Sequence, residues 1–580
     1  MTRPDPPSRY AAKPWLELLS PAQRAPVSPP PSLLHAFRDA AARAPARTAL
    51  AYFDGRIGYA ETDALSDSVA GHLAGHGVGR GGRVAVMLQN TPHFVLAVLA
   101  AWKAGAVVVP LNPMYKAGEI GHILRDSGAV ALICGDRAWT AYAAEAVRGT
   151  AVRVALTASD RDFQTRNDPR VFAPADPAPA DPAPADPAPA DPAPADPADP
   201  APADPVVPAD LTAVARRGHP APPDPGLTAA DTALISYTSG TSGTPKGAMN
   251  PHGALTHNAV RQVTGHPLPA GATYFALAPL FHITGMVCEL GACFANAGTL
   301  VLAHRFDAGV VLDAFLAHRP AYTVGPATAF MALAAHPEAT ADHFASFQVL
   351  SSGGAPLPPA LVERLRAAFG FYLRNGYGLT ECTAPCASVP VHLEAPVDPA
   401  SGTLSVGLPG ADTLVRILDE HGAEVPFGES GEIAVRGPQV VPGYWGLPAD
   451  TAKAFPDGEL RTGDVGFMDP DGWLYVVDRK KDMINASGFK VWPREVEDVL
   501  YTHPAVREAA VVGVPDPYRG ESVKAYVSLR PGTSAQPQEL SAYCAARLAA
   551  YKYPRQVEIL PLLPKTTSGK ILRRELRDRG

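Results

Sequence analysis

The densest chemical signal in this chain is the run Ile235-Ser-Tyr-Thr-Ser-Gly-Thr-Ser-Gly-Thr-Pro-Lys-Gly-Ala-Met249. An apolar stretch leads into a loop with five hydroxyls (Thr238, Ser239, Thr241, Ser242, Thr244), three glycines (Gly240, Gly243, Gly247) and one lysine, Lys246. Glycines let backbone N–H groups close on an anion, hydroxyls add donors, and the lysine supplies a point charge. That combination is the chemistry of a polyphosphate cradle. It departs from the pattern G-x-x-x-x-G-K-[ST], because Pro245 stands where the second glycine belongs and Gly247 follows the lysine. Single residues elsewhere say less. Glu381 is a hard oxygen donor suited to Mg2+, although a glutamate read alone is a solvated surface residue. Asp464 suits a ribose diol, since one carboxylate accepts from two hydroxyls, or it caps the turn after Gly463. Read alone, His282 is a core residue beside an apolar run, and His252 is structural. Cys382 and Cys386 have no paired Cys or His set nearby, so no metal site is expected there.

The elements that must hold these residues alternate. The run Arg83-Val-Ala-Val-Met-Leu and the run Ala106-Val-Val-Val-Pro read as buried strands, with a helix-like stretch over residues 91–105 between them. Ser32 is the cap candidate of an earlier helix. Strand–helix–strand units of this length predict a parallel sheet covered on both faces, and the alternation resumes after residue 233. Beyond about residue 400 the pattern turns to short antiparallel strands. The last hundred residues hold helices over 493–502 and 537–551 and strands over 509–514 and 522–529. The expected fold is mixed α/β with a β-rich part. It comprises an N-terminal extension (1–30), a large layered domain (31–480) and a small α+β domain (481–580).

Charge is distributed unevenly. Residues 174–205 contain only Pro, Ala and Asp, and their seven aspartates account for the whole net charge of −7. Without them, acidic and basic residues balance at 50 each, which gives no support for a nucleic-acid or anionic-membrane binder. Proline removes backbone donors and no large apolar side chain is present, so the repeat predicts a solvated, polyproline-like spacer. No apolar run reaches the roughly 18 residues of a membrane span, and the first residues lack a secretory core, so a cytoplasmic location is expected. Six cysteines in 580 residues form no disulfide framework.

The loop Thr238-Ser-Gly-Thr-Ser-Gly-Thr-Pro-Lys-Gly247 resembles the signature of the adenylate-forming enzymes, which include acyl-CoA synthetases, aryl-CoA ligases, beetle luciferases and peptide-synthetase adenylation domains. Further matches follow in the family's order. They are Lys103-Ala-Gly-Ala-Val-Val-Val-Pro-Leu-Asn-Pro113, Pro279-Leu-Phe-His-Ile-Thr-Gly285, Ser352-Gly-Gly-Ala-Pro356 and Asn375-Gly-Tyr-Gly-Leu-Thr-Glu381. Gly431-Glu-Ile-Ala-Val-Arg-Gly437, Arg461-Thr-Gly-Asp464, Asp478-Arg-Lys-Lys-Asp482 and Pro564-Lys-Thr-Thr-Ser-Gly-Lys570 complete the set. The resemblance spans residues from about 50 to 571, and it implies the family's fold with a mobile C-terminal domain.

It also implies roles. A carboxylate must attack the α-phosphate of ATP, and both are anions, so positive charge is needed where they meet. Glu381 would hold Mg2+ and Thr380 the phosphates, with Lys246 alongside. Asn375, Gly376, Tyr377 and Gly378 would face the adenine on one side, with Gly354, Ala355 and Pro356 on the other. Asp464 would take the ribose. Lys570 would reach in from the small domain and bridge carboxylate and α-phosphate. Lys481 would be the hinge of a rotation, with Arg479 on the nucleotide. Ser487, Gly488, Phe489 and Lys490 would then line the thiol channel, Gly488 admitting the pantetheine arm. Asn485 departs from the basic residue that many relatives carry at this point of the thiol-delivery segment. His282 would border the acyl pocket, as a wall residue or a group that orients the carboxylate. Arg573 and Arg574 read as a solvated helix face.

The expected activity is an ATP-dependent acid–CoA ligase that uses Mg2+ and CoA. The stretch 283–291 offers no lysine or arginine for a second carboxylate. That favours a medium- or long-chain fatty acid, then an aryl acid of the cinnamate type. The chain ends ten residues after Lys570 with no fused carrier domain, which favours free CoA over a separate carrier protein. Rival expectations are a fatty acyl-AMP ligase, a luciferase-like oxygenase and a non-catalytic AMP-binding scaffold.

Overall fold

Apolar runs bounded by glycine and proline pair side by side as the strands of two large sheets. The computed structural model describes residues 8–172, 206–238, 245–479, 482–486, 489–516, 520–566, 570–577 and 579, and the Pro-Ala-Asp repeat lies outside them. One sheet has seven strands in the order Ala209–Asp210, Val154–Ala158, Ala131–Gly135, Arg83–Met87, Val107–Pro110, Thr232–Tyr237 and Gly247–Pro251. All neighbours are parallel except the last two, which form an antiparallel pair. The strand–helix–strand unit read from the sequence is present, with Val84 beside Val108 and helix Pro92–Lys103 between the strands. Every residue of that helix is buried, as its unbroken apolar run requires. Pro92 sits where a missing N–H costs nothing, and Gly105 leaves the helix at φ 78°. The buried ammonium of Lys103 is neutralised by Asp63 and Asp67 at 2.5 and 2.7 Å.

The second large sheet has nine strands. Its middle runs in parallel through Leu373–Leu379, Val349–Ser352, Tyr322–Gly325, Thr273–Phe275, Thr299–Leu302 and Thr48–Tyr52. Antiparallel strands finish both edges. The change of texture near residue 400 corresponds to a four-stranded antiparallel sheet of Leu414–Leu418, Gly431–Arg436, Leu460–Met468 and Leu474–Arg479. Residues 10–19 of the expected extension dock against this sheet's core. Tyr10 and Trp15 are fully buried, Tyr10 donates to the Val425 carbonyl at 3.0 Å, and Gly472 packs against Trp15 where a Cβ would not fit.

The C-terminal body is a smaller five-stranded sheet. It is built from Phe489–Val491, Ile484–Ala486, Gly520–Leu529, Val506–Asp516 and Gln556–Ile559, with helices Pro493–Tyr501 and Pro537–Ala545. The second helix stops six residues short of the expected stretch. Leu548 N returns to the Cys544 carbonyl at 2.9 Å, and the chain turns toward strand Gln556–Ile559. Mixed α/β layers, a β-rich part and a small C-terminal body are therefore all present. Among the described residues, no helix is long and apolar enough to cross a membrane.

Candidate active site

The signature loop connects strands Thr232–Tyr237 and Gly247–Pro251, and Thr238 N donates to the Lys246 carbonyl at 2.9 Å at its foot. Gly247 is required there, because a Cβ would lie 2.6 Å from the Ile235 side chain. Ser239, Gly240, Thr241, Ser242, Gly243 and Thr244 lie outside the described residues. Lys246 forms an ion pair with Asp450 and stands 5.4 Å from the Tyr444 ring centroid. Tyr444 in turn donates its hydroxyl to Glu381 Oε1 at 2.8 Å. Burial and the facing Glu381 carboxylate push the Tyr444 hydroxyl up. The 443–445 loop is stitched to the phosphate-loop strand by Met249 N to Gly443 O at 3.0 Å and Trp445 N to Gly247 O at 2.7 Å. One aromatic thus joins the lysine and the glutamate that lie 135 positions apart in sequence.

Glu381 and Thr380 sit on a single turn, Thr380–Cys382, after strand Leu373–Leu379. Two asparagines from the phosphate-loop side fix that turn. Asn250 donates to Thr380 O at 2.9 Å and to Thr383 Oγ1 at 3.1 Å, and Asn258 donates to Thr383 O at 2.7 Å. They hold Thr383 and Ala384 at φ 51° and 77°, conformations L-residues rarely adopt. Gly378 faces this turn so closely that a Cβ would lie 2.1 Å from the Ala384 carbonyl oxygen. Cys382 and Cys386 are buried free thiols. Among the described residues, no group of three or more His, Cys, Asp or Glu side chains is arranged to hold a metal. A single carboxylate beside a hydroxyl and a polyphosphate is the donor set Mg2+ accepts, so Glu381 and Thr380 fit that ion.

Tyr377 donates its hydroxyl to Asp464 Oδ2 at 2.7 Å, and Asp464 N donates to Thr462 Oγ1 at 3.1 Å. Burial and the Asp464 charge raise the Tyr377 pKa well above its ordinary value. Asn375 Nδ2 donates to Ser405 O at 3.1 Å, and its Oδ1 accepts from Gly376 N at 3.1 Å, so the structure turns this amide into the protein. Gly354, at φ 78°, faces Lys570 directly. A Cβ built on Gly354 would lie 3.2 Å from Lys570 Cε and 3.6 Å from Nζ. Lys570 is held at the end of a closed turn, its carbonyl accepting from Thr566 N at 2.7 Å and its N–H donating to Thr566 Oγ1 at 3.1 Å. Its charge also reaches His282. Burial first, and then the Lys570 cation, lower the His282 imidazole to about 3, so it is neutral. The lysine of the small body therefore stands against Gly354 of the large one.

Several participants were not legible beforehand. Tyr444 and Asp450 follow a Pro-Gly turn at 442–443, a weak cue for an aromatic fixed in place. Glu289 is fully buried, and its Oε1 accepts from Leu277 N at 3.1 Å, Ala278 N at 3.3 Å and Val324 N at 3.3 Å. Burial raises its carboxyl well above the usual range. Arg573 corrects the sequence reading. It is not solvated but 18% exposed, and it pairs with Asp478, Asp482 and Glu497, carboxylates that arrive from 76 to 95 residues away. Arg574 is exposed, as read. His252 is buried against Trp102 at 5.3 Å, where burial lowers it to about 4. Lys481, Ser487 and Gly488 lie outside the described residues. Arg479, Phe489 and Lys490 are placed only as strand backbone, Arg479 opposite Asp464.

Layered sheets, a hydroxyl-rich sequence after strand Thr232–Tyr237 and a small C-terminal body that sets a lysine against the large one match the pattern of an adenylate-forming enzyme. Comparison with known proteins agrees. The sequence profile of the AMP-binding enzyme family matches residues 37–445, and that of the AMP-binding enzyme C-terminal domain matches residues 495–570. The chain belongs to this family and is an ATP-dependent, AMP-forming acid–CoA ligase. It is 37% identical over 537 residues to a feruloyl-CoA synthase of Amycolatopsis sp, covering 92% of this chain and 96% of that protein. It is 34% identical over 571 residues to a long-chain-fatty-acid–CoA ligase of Bacillus subtilis, covering 97% of each. The structure resembles ATP-bound MatB from Rhodopseudomonas palustris with a TM-score of 0.79 and 27% identity, over 94% of this chain and 98% of that one.

Proposed function

We propose that the chain activates a monocarboxylic acid in two half-reactions divided between two poses of its small domain, residues 481–580. In the first, a carboxylate oxygen of the acid attacks the α-phosphorus of ATP and pyrophosphate leaves. In the second, the CoA sulfur, as thiolate, attacks the acyl carbon and AMP leaves. The observation that carries this reading is the position of Lys570, a small-domain side chain placed against Gly354 of the large domain. There its ammonium meets both the incoming carboxylate and the α-phosphate, whose combined negative charge is greatest in the transition state.

The other residues bind and orient. The 238–246 loop and Lys246 hold the β- and γ-phosphates, and Asp464 with Tyr377 holds the ribose. Glu381, aimed by Tyr444, would hold Mg2+ with the phosphates, and that ion would offset triphosphate charge when bound. A neutral His282 offers the acid a hydrogen bond without protonating it. Rotation about Lys481 would then withdraw Lys570 and bring Ser487, Gly488, Phe489 and Lys490 to the thiol.

The acid is a medium- or long-chain fatty acid. The helical turn Gly285–Gly291 after His282 buries Met286, Val287 and Cys288 and carries no cation to pair with a second carboxylate. The similarity to a long-chain ligase supports the same reading. A cinnamate-type aryl acid is the second reading, favoured by the 37% identity to a feruloyl-CoA synthase.

The test is pyrophosphate release across fatty and cinnamate-type acids, with and without CoA. It is paired with Lys570→Ala, which should lower ATP–pyrophosphate exchange about 100- to 1,000-fold, the effect of one preorganised transition-state donor. Thioester formation from supplied acyl-AMP should persist. Equal loss of both half-reactions would refute the two-pose reading, and pyrophosphate release without a CoA thioester would move the acceptor to a carrier protein.

A further inference from the structure

Three residues after Lys570, the short helix Arg573–Arg577 begins with a guanidinium that meets carboxylates from three parts of the chain. Arg573 Nη1 lies 2.9 Å from Asp478 Oδ1 and 3.6 Å from Asp482 Oδ2, and Nη2 donates to Glu497 Oε1 and Oε2 at 2.9 and 2.7 Å. The carboxylate side chains are only 3, 11 and 8% exposed. Asp478 belongs to the large body. It stands on strand Leu474–Arg479, in register with Val465 and so one residue from Asp464. Glu497 belongs to the small body, on helix Pro493–Tyr501, where its Oε1 also accepts from Val511 N at 2.8 Å. Asp478 and Asp482 bracket the junction at 479–481, and Arg573 braces across it. A second tie runs beside the first, with Arg494 N on Asp478 Oδ2 at 3.0 Å and Arg494 Nη1 on Val476 O at 2.7 Å.

We infer that Arg573 is a positioning residue for adenylation, bridging Asp478 of the large body and Glu497 of the small one in the pose that sets Lys570 against Gly354. The inference rests on the role proposed for Lys570. A guanidinium fork fixes direction as well as distance, which a flexible ammonium does not. Lys570 is clipped to Thr566, so the three-residue span from Arg573 transmits position rather than slack. Turning the small body about the junction carries Arg573 and Glu497 together and leaves Asp478 with its sheet. The Asp478 contact is therefore a property of this pose, and the Glu497 contact is common to both.

The two half-reactions separate these roles. Arg573→Ala and Asp478→Asn should each lower kcat for ATP–pyrophosphate exchange, by up to about 100-fold for a displacement near 1 Å, with the KM for ATP little changed. Thioester formation from supplied acyl-AMP and CoA should stay near wild type in both. Arg573→Lys should restore part of the exchange rate, and Asp478→Asn should add nothing to Arg573→Ala. Ferulate and palmitate serve as acids, with the corresponding acyl-adenylates. Equal loss of both half-reactions in Asp478→Asn, an unchanged exchange rate, or additive losses in the double variant would overturn the inference. If Arg573→Ala does not fold, Asp478→Asn decides alone, because it leaves Arg573 paired with Glu497 and Asp482. Lys570→Ala on the same assays keeps the two ideas apart. Retained exchange there defeats the role of Lys570, whereas lost exchange there with intact exchange in Arg573→Ala and Asp478→Asn defeats only the brace.

Discussion

Lys246 is the one lysine of the 238–247 loop and is paired with Asp450, so under the proposed function ATP displaces a carboxylate to reach it. The cost of that displacement follows from exposure. Both side chains are about 40% exposed, and ion pairs open to water are worth roughly 0.2–1 kcal/mol. At about 1.4 kcal/mol per tenfold, Asp450→Asn should lower the KM for ATP by up to about fivefold. The kcat should not change, because Asp450 makes no contact that forms only in the transition state. The gain should shrink as salt rises, since about 0.1 M salt screens exposed charges beyond roughly 10 Å. The assay is ATP–pyrophosphate exchange against ATP concentration at low and moderate salt, for Asp450→Asn, Lys246→Ala and the double variant. In the Lys246→Ala background the second substitution should do nothing, because the pair is already gone. A KM that rises in Asp450→Asn would show that the carboxylate aims Lys246 rather than competing for it. An effect that survives in the double variant would show that Asp450 acts elsewhere.

Two further outcomes follow from the site and its surroundings. Tyr444→Phe removes the hydroxyl that donates to Glu381 Oε1, a bond to a carboxylate worth roughly 1.5–3 kcal/mol, so exchange should fall about tenfold or more; wild-type exchange in this variant would remove Tyr444 from the site. His252, His266 and His282 are lowered to about 4, 4 and 3 by burial, so each binds its proton less readily folded than unfolded. Their contribution to stability is whole above pH 6.5 and is lost as pH falls toward 4, by up to about 1.4 kcal/mol per unit for each. His252→Phe, which keeps a ring against Trp102, should flatten the decline of Tm between pH 6.5 and 5, and an unchanged slope would count against a neutral buried His252.

Much of this protein could be read locally. Residues 94–102 of helix Pro92–Lys103 are apolar on every face, and Pro92 and Gly105 bound the helix, so composition alone buries that run between two parallel strands. The 235–249 run announces the strand that ends at Tyr237, and its crowding of hydroxyls, glycines and a lysine behind an apolar stretch reads as an anion-binding loop. Lys570 stands out only through its motif, since a lysine between Gly569 and Ile571 has nothing in its own neighbourhood to distinguish it from a solubility residue. What no local pattern held were the partners. Asp450 reaches Lys246 across 204 positions, Tyr10 reaches Val425 across 415, and Arg573 draws its carboxylates from 76 to 95 residues away. A five-residue helix with three arginines reads as solvated because hydrophobic period reports only whether a face is apolar, not whether acidic groups will close over it. Sequence determined which groups can do the chemistry, through residue type and spacing. Tertiary structure alone decided which of them are neutralised, aimed or braced, because ion pairing and desolvation depend on the distance between groups that only chain closure brings together.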